Sequence, residues 1–313
     1  MRTIVVTGGA GFVGSRLCER LAAGGARVIS LDNYFTGRRE NHVAGVDYRA
    51  GHTRDIAAAI PETPDLLFHL GEYSRVEKSF EEPATVWDLN KAGTFGVLEF
   101  CRQRGVKLVY AGSSTKFADG GLGRDQSPYA WTKASNTELA RNYGDWFGLN
   151  YAITYFYNVY GPGERADAYG TLIEIFRQQR LAGRPLTVVA PGTQRRIFTH
   201  VDDIVDGLEL IGEAGEGDEF GLGADEAYSV LEVAQMFGGP VDMLPERAGN
   251  RTGAWLNVAR SQALGWKARR RLADYIAEAR TAAPAAGVVL TACNQASQAT
   301  RRCAQPPIGR RTR

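Results

Sequence analysis

The sequence predicts an α/β protein in which a doubly wound parallel sheet is joined by a smaller, interleaved C-terminal domain. Strand-like apolar runs alternate with helix-like stretches over roughly the first 160 residues, as is typical of a parallel sheet with helices on both faces. A glycine-rich turn follows the first apolar run, and Gly24 and Gly25 end the helical pattern behind it. Beyond the turn at residues 161–163 the elements become shorter and mixed, which indicates a second domain.

Segments of helical periodicity separate the strand-forming runs. The predicted strands of the sheet are Ile4–Thr7, Arg27–Asp32, Leu66–Leu70, Lys107–Gly112 and Tyr151–Tyr157. Helices are predicted at about 83–105 and 127–148, and then at Thr171–Ala182, Val201–Ile211 and Ser229–Phe237, with a short strand at Leu186–Ala190. The last of these helices opens with the capping box Ser229-Val-Leu-Glu232.

These elements divide the chain into three parts. Residues 1–160 are predicted to form a Rossmann-type dinucleotide-binding domain, to which an amphipathic stretch at about 198–215 returns. Residues 161–276 are mainly a substrate-binding domain. Residues 277–313 are rich in Ala, Thr, Gln and Arg and are expected to form a basic, flexible tail.

Composition restricts the class of protein. No run of 18 apolar residues occurs, so no membrane span is expected. The four cysteines lack metal-ligand spacing, which favours reduced thiols, a cytoplasmic location and no bound metal. The formal net charge is +2, but five arginines in residues 281–313 leave −3 for residues 1–280. We therefore expect no nucleic-acid partner.

The glycine-rich turn carries the first functional signal. Gly8 permits a tight turn, Gly11 lets the backbone approach a pyrophosphate at a helix N-terminus, and Gly14 lets helix and strand pack closely. Asp32 ends the next strand, 18 residues after Gly14, where a carboxylate accepts hydrogen bonds from the adenosine ribose diol. Because a carboxylate there repels a 2′-phosphate, the sequence predicts NAD rather than NADP.

A second group of polar residues lies where the fourth predicted strand ends and the next helix begins. Ser113 follows the strand, and Tyr129 and Lys133 stand at positions i and i+4 of a helix that Ser127 is expected to cap. A phenol is a weak base at neutral pH, but a neighbouring ammonium and a positive helix N-terminus favour the phenolate. We expect Tyr129 to act as the base, Lys133 to assist it and hold the nicotinamide ribose, and Ser113 to bond the reacting oxygen.

In this order the motifs resemble the extended short-chain dehydrogenase/reductases that modify nucleotide sugars. The resemblance covers about residues 1–276 and is carried by Gly8–Gly14, Asp32, Phe68–Leu70, Asn90–Thr94, Ser113, Tyr129, Lys133, Tyr155–Asn158, Gly161–Gly163, Arg196–Asp203 and Arg247–Asn250. Within the family the chain is most similar to the UDP-hexose 4-epimerases, which act on UDP-glucose or UDP-N-acetylglucosamine. The resemblance also implies a homodimer formed through the helices near 84–104 and 128–147.

The resemblance assigns further residues to the site. It implies that the cofactor contacts Phe12, Val13, Asn33, Asn90 and Tyr157. It implies that the nucleotide sugar contacts Ser74, Ser114, Asn158, Arg196, Arg247, Asn250 and Ala254. Two of these, Arg196 and Arg247, are expected to clamp the diphosphate, since a guanidinium suits phosphate oxygens. The small Ala254 is expected to leave room for an N-acetyl group at C2 of the sugar.

Departures from the family pattern bear on the reaction. Sugar dehydratases and decarboxylases carry an acid at the position of Thr115, and the dehydratases an aspartate at that of Ser114. Without them, reversible oxidation at C4 through a 4-keto intermediate is the simplest chemistry. A nucleotide-sugar dehydratase, a 4-keto reductase and a non-catalytic NAD-binding protein remain the alternatives. Arg75 and Lys116 are unusual cations for this cleft, and are read either as partners of an acidic sugar or as solvated rim charges.

Overall fold

The computed structural model describes residues 1–246 and 257–281, and a single large sheet organises the first part of the chain. The strands, in chain order, are β1 (Thr3–Thr7), β2 (Arg27–Asp32), β3 (Asp47–Ala50), β4 (Leu66–His69), β5 (Lys107–Ser113), β6 (Tyr151–Phe156), β7 (Val159–Tyr160), β8 (Leu186–Val189), β9 (Arg195–Ile197), β10 (Thr199–His200), β11 (Gly217–Leu222), β12 (Ala227–Ser229) and β13 (Val241–Leu244).

Seven of these strands form one parallel sheet in the order β3-β2-β1-β4-β5-β6-β11. The predicted doubly wound sheet is therefore confirmed. The strand order reverses between β1 and β4, so the loops after these two strands diverge and leave a crevice at their C-terminal ends. The register pairs Thr7 with His69, which brings the glycine-rich turn beside the loop after β4.

The helices cover both faces of the sheet and form part of the second region. They are α1 (Phe12–Ala23), α2 (Ile56–Ala59), α3 (Pro83–Val86), α4 (Gly93–Arg104), α5 (Pro128–Phe147), α6 (Leu172–Leu181), α7 (Val201–Ala214), α8 (Val230–Phe237), α9 (Ala259–Ala263) and α10 (Leu272–Thr281). Both bonds of the capping box that was predicted for α8 are present, between Ser229 and Glu232. Among the described residues, no helix is long and apolar enough to cross a bilayer.

The helix predicted at 83–105 is not regular throughout. A π-helical turn, Trp87–Ala92, separates α3 from α4 and carries Asn90, whose side chain is fully buried. Such wide turns inside helices often occur near functional sites. Here the turn brings the Asn90 amide under the loop that follows β4, where it bonds the backbone of Tyr73.

A separate apolar core lies outside the large sheet. Phe176 of α6, Val188 of β8, Phe237 of α8 and Ile276 of α10 belong to it, and this core supports the proposed substrate domain. The chain returns to the core on the large sheet through α7 and also through β11, which pairs with β6 up to Leu222, beyond the limit expected near residue 215. α10 extends to Thr281, so residues 277–281 of the predicted tail are helical, and the rest of the tail lies outside the described residues.

Candidate active site

A cavity of about 610 Å³ lies at the C-terminal ends of the central strands. It is lined by the turn after β1, the end of β2, the loop after β4, the end of β5 and the start of α5. The predicted site residues that it brings together are Gly8, Gly11, Phe12, Val13, Gly14, Asp32, Asn33, Ser74, Ser113, Ser114, Tyr129, Lys133, Asn158 and Arg196. One cavity therefore contains predicted cofactor, catalytic and substrate residues.

The glycine-rich turn forms a cradle that side chains would fill. A Cβ on Gly8 would lie 2.8 Å from the Cα atom of Gly71, and Gly8 has a positive φ of 75°. A Cβ on Gly14 would lie 2.1 Å from the Gly8 carbonyl oxygen. No side chain among the described residues caps the N-terminus of α1, and its first turn carries no acid. The turn thus leaves backbone N–H groups available for a pyrophosphate, which fits a dinucleotide.

Asp32 is held rigidly at the end of β2. Its two carboxylate oxygens accept the backbone N–H groups of Ala10 at 3.0 Å and Tyr34 at 2.8 Å. Burial raises the pKa of this carboxyl, and the two backbone hydrogen bonds oppose that rise. Each oxygen has a second lone pair, so the fixed carboxylate is still able to accept the two hydroxyls of a ribose diol.

The side chains predicted to be catalytic meet where β5 ends and α5 begins. The Ser127 hydroxyl caps α5 by accepting the Ala130 N–H at 3.1 Å, as predicted. This start places the Tyr129 hydroxyl 3.2 Å from the Ser113 Oγ, to which it donates. Ser113 Oγ also accepts from the Thr115 hydroxyl at 2.9 Å. Two hydroxyl donors therefore orient Ser113 beside the phenol.

Lys133 lies one turn along α5 and forms a buried ion pair that the sequence reasoning missed. Its Nζ donates to the Glu72 carboxylate and to the Ala111 carbonyl. The side chains of Lys133 and Glu72 are only 6% and 3% exposed. Burial disfavours the charged form of Glu72, but the attraction of Lys133 and the surrounding donors outweigh it and lower the pKa of Glu72. The available signal was the acid Glu72 in the loop that follows β4, among the residues at the C-terminal end of a buried strand.

A chain of hydrogen bonds through Thr94, His69 and Thr7 connects this ion pair to the loop beside the glycine-rich turn. Thr94 Oγ1 donates to Glu72 at 2.6 Å, so His69 Nε2 must donate to Thr94 Oγ1, 3.0 Å away. His69 Nδ1 then accepts from Thr7 Oγ1 at 2.7 Å, and Thr7 Oγ1 accepts the Gly71 N–H. Burial lowers the pKa of His69 to about 4, consistent with a neutral ring of this single tautomer.

Two residues expected at the cofactor do not line the cavity. Phe156, Asn158 and Val159 line the cavity, whereas Tyr157, just after the end of β6, does not and is buried. Asn90 donates its amide N–H to Thr132 Oγ1 at 3.0 Å and accepts the Tyr73 N–H at 2.7 Å, so it lies behind the cavity wall. Contacts of Tyr157 and Asn90 with the cofactor stay proposals, and the described bonds give Asn90 a role in fixing the loop after β4.

Two further residues proposed for the sugar nucleotide, Asn158 and Arg196, also line the cavity. Asn158 has a positive φ of 26°, and its amide donates to the Ile197 carbonyl at 2.8 Å. Arg196 lies on β9, which pairs with β12. Arg247, Asn250 and Ala254 fall outside the described residues. Within the described part of the chain, no cluster of three His, Cys, Asp or Glu side chains is arranged to hold a metal ion.

Comparison with known proteins identifies the family. The model of the NAD dependent epimerase/dehydratase family matches residues 4–223. The UDP-glucose 4-epimerase of Mycolicibacterium smegmatis is 31% identical over 304 residues, which cover 89% of this chain and 97% of that protein. UDP-glucuronic acid decarboxylase 1 of Arabidopsis thaliana is 31% identical over 249 residues, which cover 74% of this chain but only 57% of the plant protein.

The fold comparison agrees with the sequence comparison. The structure of Thermus thermophilus UDP-glucose 4-epimerase in complex with NAD superimposes with a TM-score of 0.81 and 29% identity, over 88% of this chain and 96% of that one. The glycine cradle and Asp32 fit the same cofactor, NAD. Sheet order, dinucleotide cradle and the Ser113–Tyr129–Lys133 group thus agree with the family match, and the chain belongs to the NAD-dependent epimerase/dehydratase family of extended short-chain dehydrogenase/reductases.

Proposed function

We propose that this protein is an NAD-dependent nucleotide-sugar 4-epimerase that acts on a UDP-linked hexose. The observation that carries the proposal is the Tyr129 hydroxyl, 3.2 Å from Ser113 Oγ and one helical turn from Lys133, in a cavity that also contains the dinucleotide cradle. The similarity to UDP-glucose 4-epimerases over nearly their whole length supports the same activity.

The residues perform complementary parts of the reaction. Tyr129 takes the proton of the C4 hydroxyl, and Ser113 bonds the same oxygen and holds it at the phenol. Lys133, fixed by Glu72, keeps a positive charge beside the phenolate that results. NAD, when bound, supplies a reversible hydride acceptor for C4. After the 4-keto sugar turns over in the cavity, Tyr129 returns the proton to the epimeric oxygen.

The remaining cavity residues hold the two ligands. Asp32 binds the adenosine ribose, and the N-terminus of α1 binds the pyrophosphate of the cofactor. Asn158 and Arg196 bind the sugar nucleotide, with Arg196 at its diphosphate, because a guanidinium forms paired bonds with phosphate oxygens. Ser74 and Ser114, which line the cavity, contact the sugar. Arg247, Asn250 and Ala254 are proposed for the same substrate on the family resemblance.

Dehydration and decarboxylation are the competing activities, and the plant relative favours the second. Dehydration needs an enzyme base for the C5 proton and an acid for the leaving hydroxyl, whereas a 4-keto hexuronate is a β-keto acid that loses carbon dioxide without a protein carboxylate. The positions that follow Ser113 carry hydroxyls, Ser114 and Thr115, where the dehydratases would need acids, and the Thr115 hydroxyl donates to Ser113. The nearby carboxylate of Glu72 is engaged by Lys133. These contacts favour epimerisation over dehydration, and the similarity to nearly the whole length of a UDP-glucose 4-epimerase favours it over decarboxylation.

A panel of UDP-, GDP- and dTDP-sugars, followed by NMR without added cofactor, tests the proposal. We expect one UDP-sugar to interconvert with its C4 epimer. Tyr129→Phe is expected to slow this by roughly 100-fold or more, the scale of a lost general base, while NAD binding persists. Near-normal turnover in that variant would remove Tyr129 from the mechanism.

We further propose a cytoplasmic homodimer. Trp87 and Trp131, on the two helical segments expected at the interface, are stacked with centroids 6.0 Å apart and are 56% and 39% exposed. An exposed aromatic patch of this kind is typical of a protein–protein interface. Cys18 and Cys101 are buried free thiols, in keeping with a reducing compartment. Sedimentation velocity tests the dimer: wild type is expected to sediment as a dimer and Trp131→Asp to dissociate. A monomer mass for both proteins would contradict the dimer.

A further inference from the structure

Arg75 brings a positive charge to the wall of the cavity at the catalytic end. It lines the cavity together with Ser113 and Tyr129. Its Nε donates to the Tyr169 carbonyl oxygen at 2.8 Å. Tyr169 and Tyr129 pack against the same small apolar cluster, which links the segment that holds Arg75 to the catalytic phenol. The guanidinium therefore lies in the part of the cavity where the sugar reacts.

The hydrogen bonds of this guanidinium are all to neutral oxygens. Besides Tyr169, its partners are the Ser74 carbonyl at 3.0 Å and the Ser74 hydroxyl at 3.3 Å. No ion pair joins Arg75 to a carboxylate of residues 1–246 or 257–281. Arg165, which lines the same cavity, differs because its Nε lies 3.0 and 3.1 Å from the carboxylate oxygens of Asp167. Arg75 is thus positioned without a carboxylate in contact with it, and the more distant charges of Asp167 and Arg165 act on it with opposite signs.

A charge held partly out of water without a direct ion-pair partner is unfavourable. Burial accordingly lowers the pKa of Arg75, and the Tyr129 phenol, when ionised, is the neighbour that most strongly favours the charged guanidinium. The pinned donors fix the plane of the group and leave N–H capacity unused, since a guanidinium has five N–H donors. A ligand anion entering the cavity would supply the missing charge.

The position of Arg75 selects which anion this is. The diphosphate is assigned to Arg196, on a different element of the cavity wall. In a hexuronate, the carboxylate carbon is bonded to C5, the neighbour of C4, so a sugar that presents its C4 hydroxyl to Tyr129 carries its carboxylate close to the phenol. Resting on the proposed reaction at C4, we infer that Arg75 binds the carboxylate of a UDP-linked hexuronate, which makes acidic sugars the preferred substrate class.

Equilibrium binding to the NAD-loaded protein tests this inference without relying on turnover. The Kd values of UDP-glucuronic acid and UDP-glucose are measured by calorimetry for wild type, Arg75→Gln and Lys78→Gln. Lys78 is the matched control, because it lies on the same segment but pairs with Glu81 away from the cavity, at 2.7 Å. We expect Arg75→Gln to raise the Kd of UDP-glucuronic acid by about 10- to 100-fold, the range of a lost charge-assisted hydrogen bond. The Kd of UDP-glucose is expected to rise by less than about threefold.

The control variant is expected to leave the ratio of the two Kd values unchanged. An equal loss of affinity for both UDP-sugars in Arg75→Gln, or no loss of affinity for either, would overturn the inference. A parallel rise in the Kd of NAD would overturn it too, because Arg75 would then serve a cofactor phosphate. If the selective loss is found but no C4 epimer forms, the proposed function fails and the binding role of Arg75 stands.

Discussion

The buried ion pair between Glu72 and Lys133 yields a stability prediction that depends directly on the geometry. Both side chains are almost completely buried, so removing one partner leaves the other as an uncompensated charge. In Glu72→Gln, an amide oxygen can still accept from Thr94, but the amide nitrogen then faces Lys133, donor against donor. Breaking a buried pair in this way costs about 3–5 kcal/mol.

A double-mutant cycle separates the pair from the surrounding packing. Glu72→Gln and Lys133→Met are each expected to lower the free energy of unfolding by about 3 kcal/mol or more, and the double variant by clearly less than their sum. Urea unfolding measures each value. Glu19→Gln, which breaks the exposed pair of Glu19 with Arg16, is the control and is expected to cost less than about 1 kcal/mol. Additive effects of the two buried substitutions, within about 0.5 kcal/mol, would refute the reasoning.

The pH dependence of the same variant has a definite sign. The pKa of Glu72 is lowered in the folded protein, so its carboxylate stabilises the fold at neutral pH and this contribution is lost as the pH falls through the folded pKa. The difference in unfolding free energy between wild type and Glu72→Gln is therefore expected to shrink on acidification. A constant difference from neutral to acidic pH would show that the ion pair does not cause it.

Three further predictions concern the cofactor, the base and the buried histidine. Asp32→Asn keeps an oxygen for the Tyr34 N–H but removes the charge, so the preference for NAD over NADP in a binding titration is expected to narrow; an unchanged preference would contradict the role of Asp32. Tyr129→Phe is expected to lose activity but retain the wild-type melting temperature, and a large drop in melting temperature would make its activity loss uninformative. The pKa of His69 is lowered from 6.5 to about 4 in the folded protein, so on acidification the unfolded chain takes up a proton before the folded one does. The free energy of unfolding is therefore expected to fall by about 3 kcal/mol as the pH drops from 6.5 to 4. In His69→Gln this part of the pH dependence of the unfolding free energy is expected to be absent. The same pH dependence as in wild type would contradict the role given to His69.

The sheet was predictable where burial leaves a plain signal. β1, β2, β4 and β5 are apolar runs covered on both faces, and such runs read as strands without further information. β3 and β11 were missed because β3 is a half-exposed edge strand and β11 opens with Gly-Asp-Glu. Their strand conformation comes from pairing with β2 and β6, which a local pattern does not contain.

The candidate site divides in the same way between local and long-range information. The glycine spacing and the i, i+4 relation of Tyr129 and Lys133 are local, and they predicted residues that line one cavity. The pairing of Lys133 with Glu72 spans 61 residues and exists because β4, β5 and α5 pack together, so no local pattern reveals it. Tyr157 shows the opposite limit, since a motif names the segment while the backbone path after β6 decides which of its side chains line the cavity.

The most direct test of the central claim is the fate of a deuterium label at C4 of the UDP-sugar, followed by NMR in ordinary water with no added cofactor. Reversible oxidation at C4 predicts that the C4 epimer forms, that the deuterium remains at C4 of the product, and that no carbon dioxide or 4-keto-6-deoxy sugar appears. Accumulation of either of those products, or loss of the C4 deuterium to solvent during turnover, would contradict the assignment as a 4-epimerase.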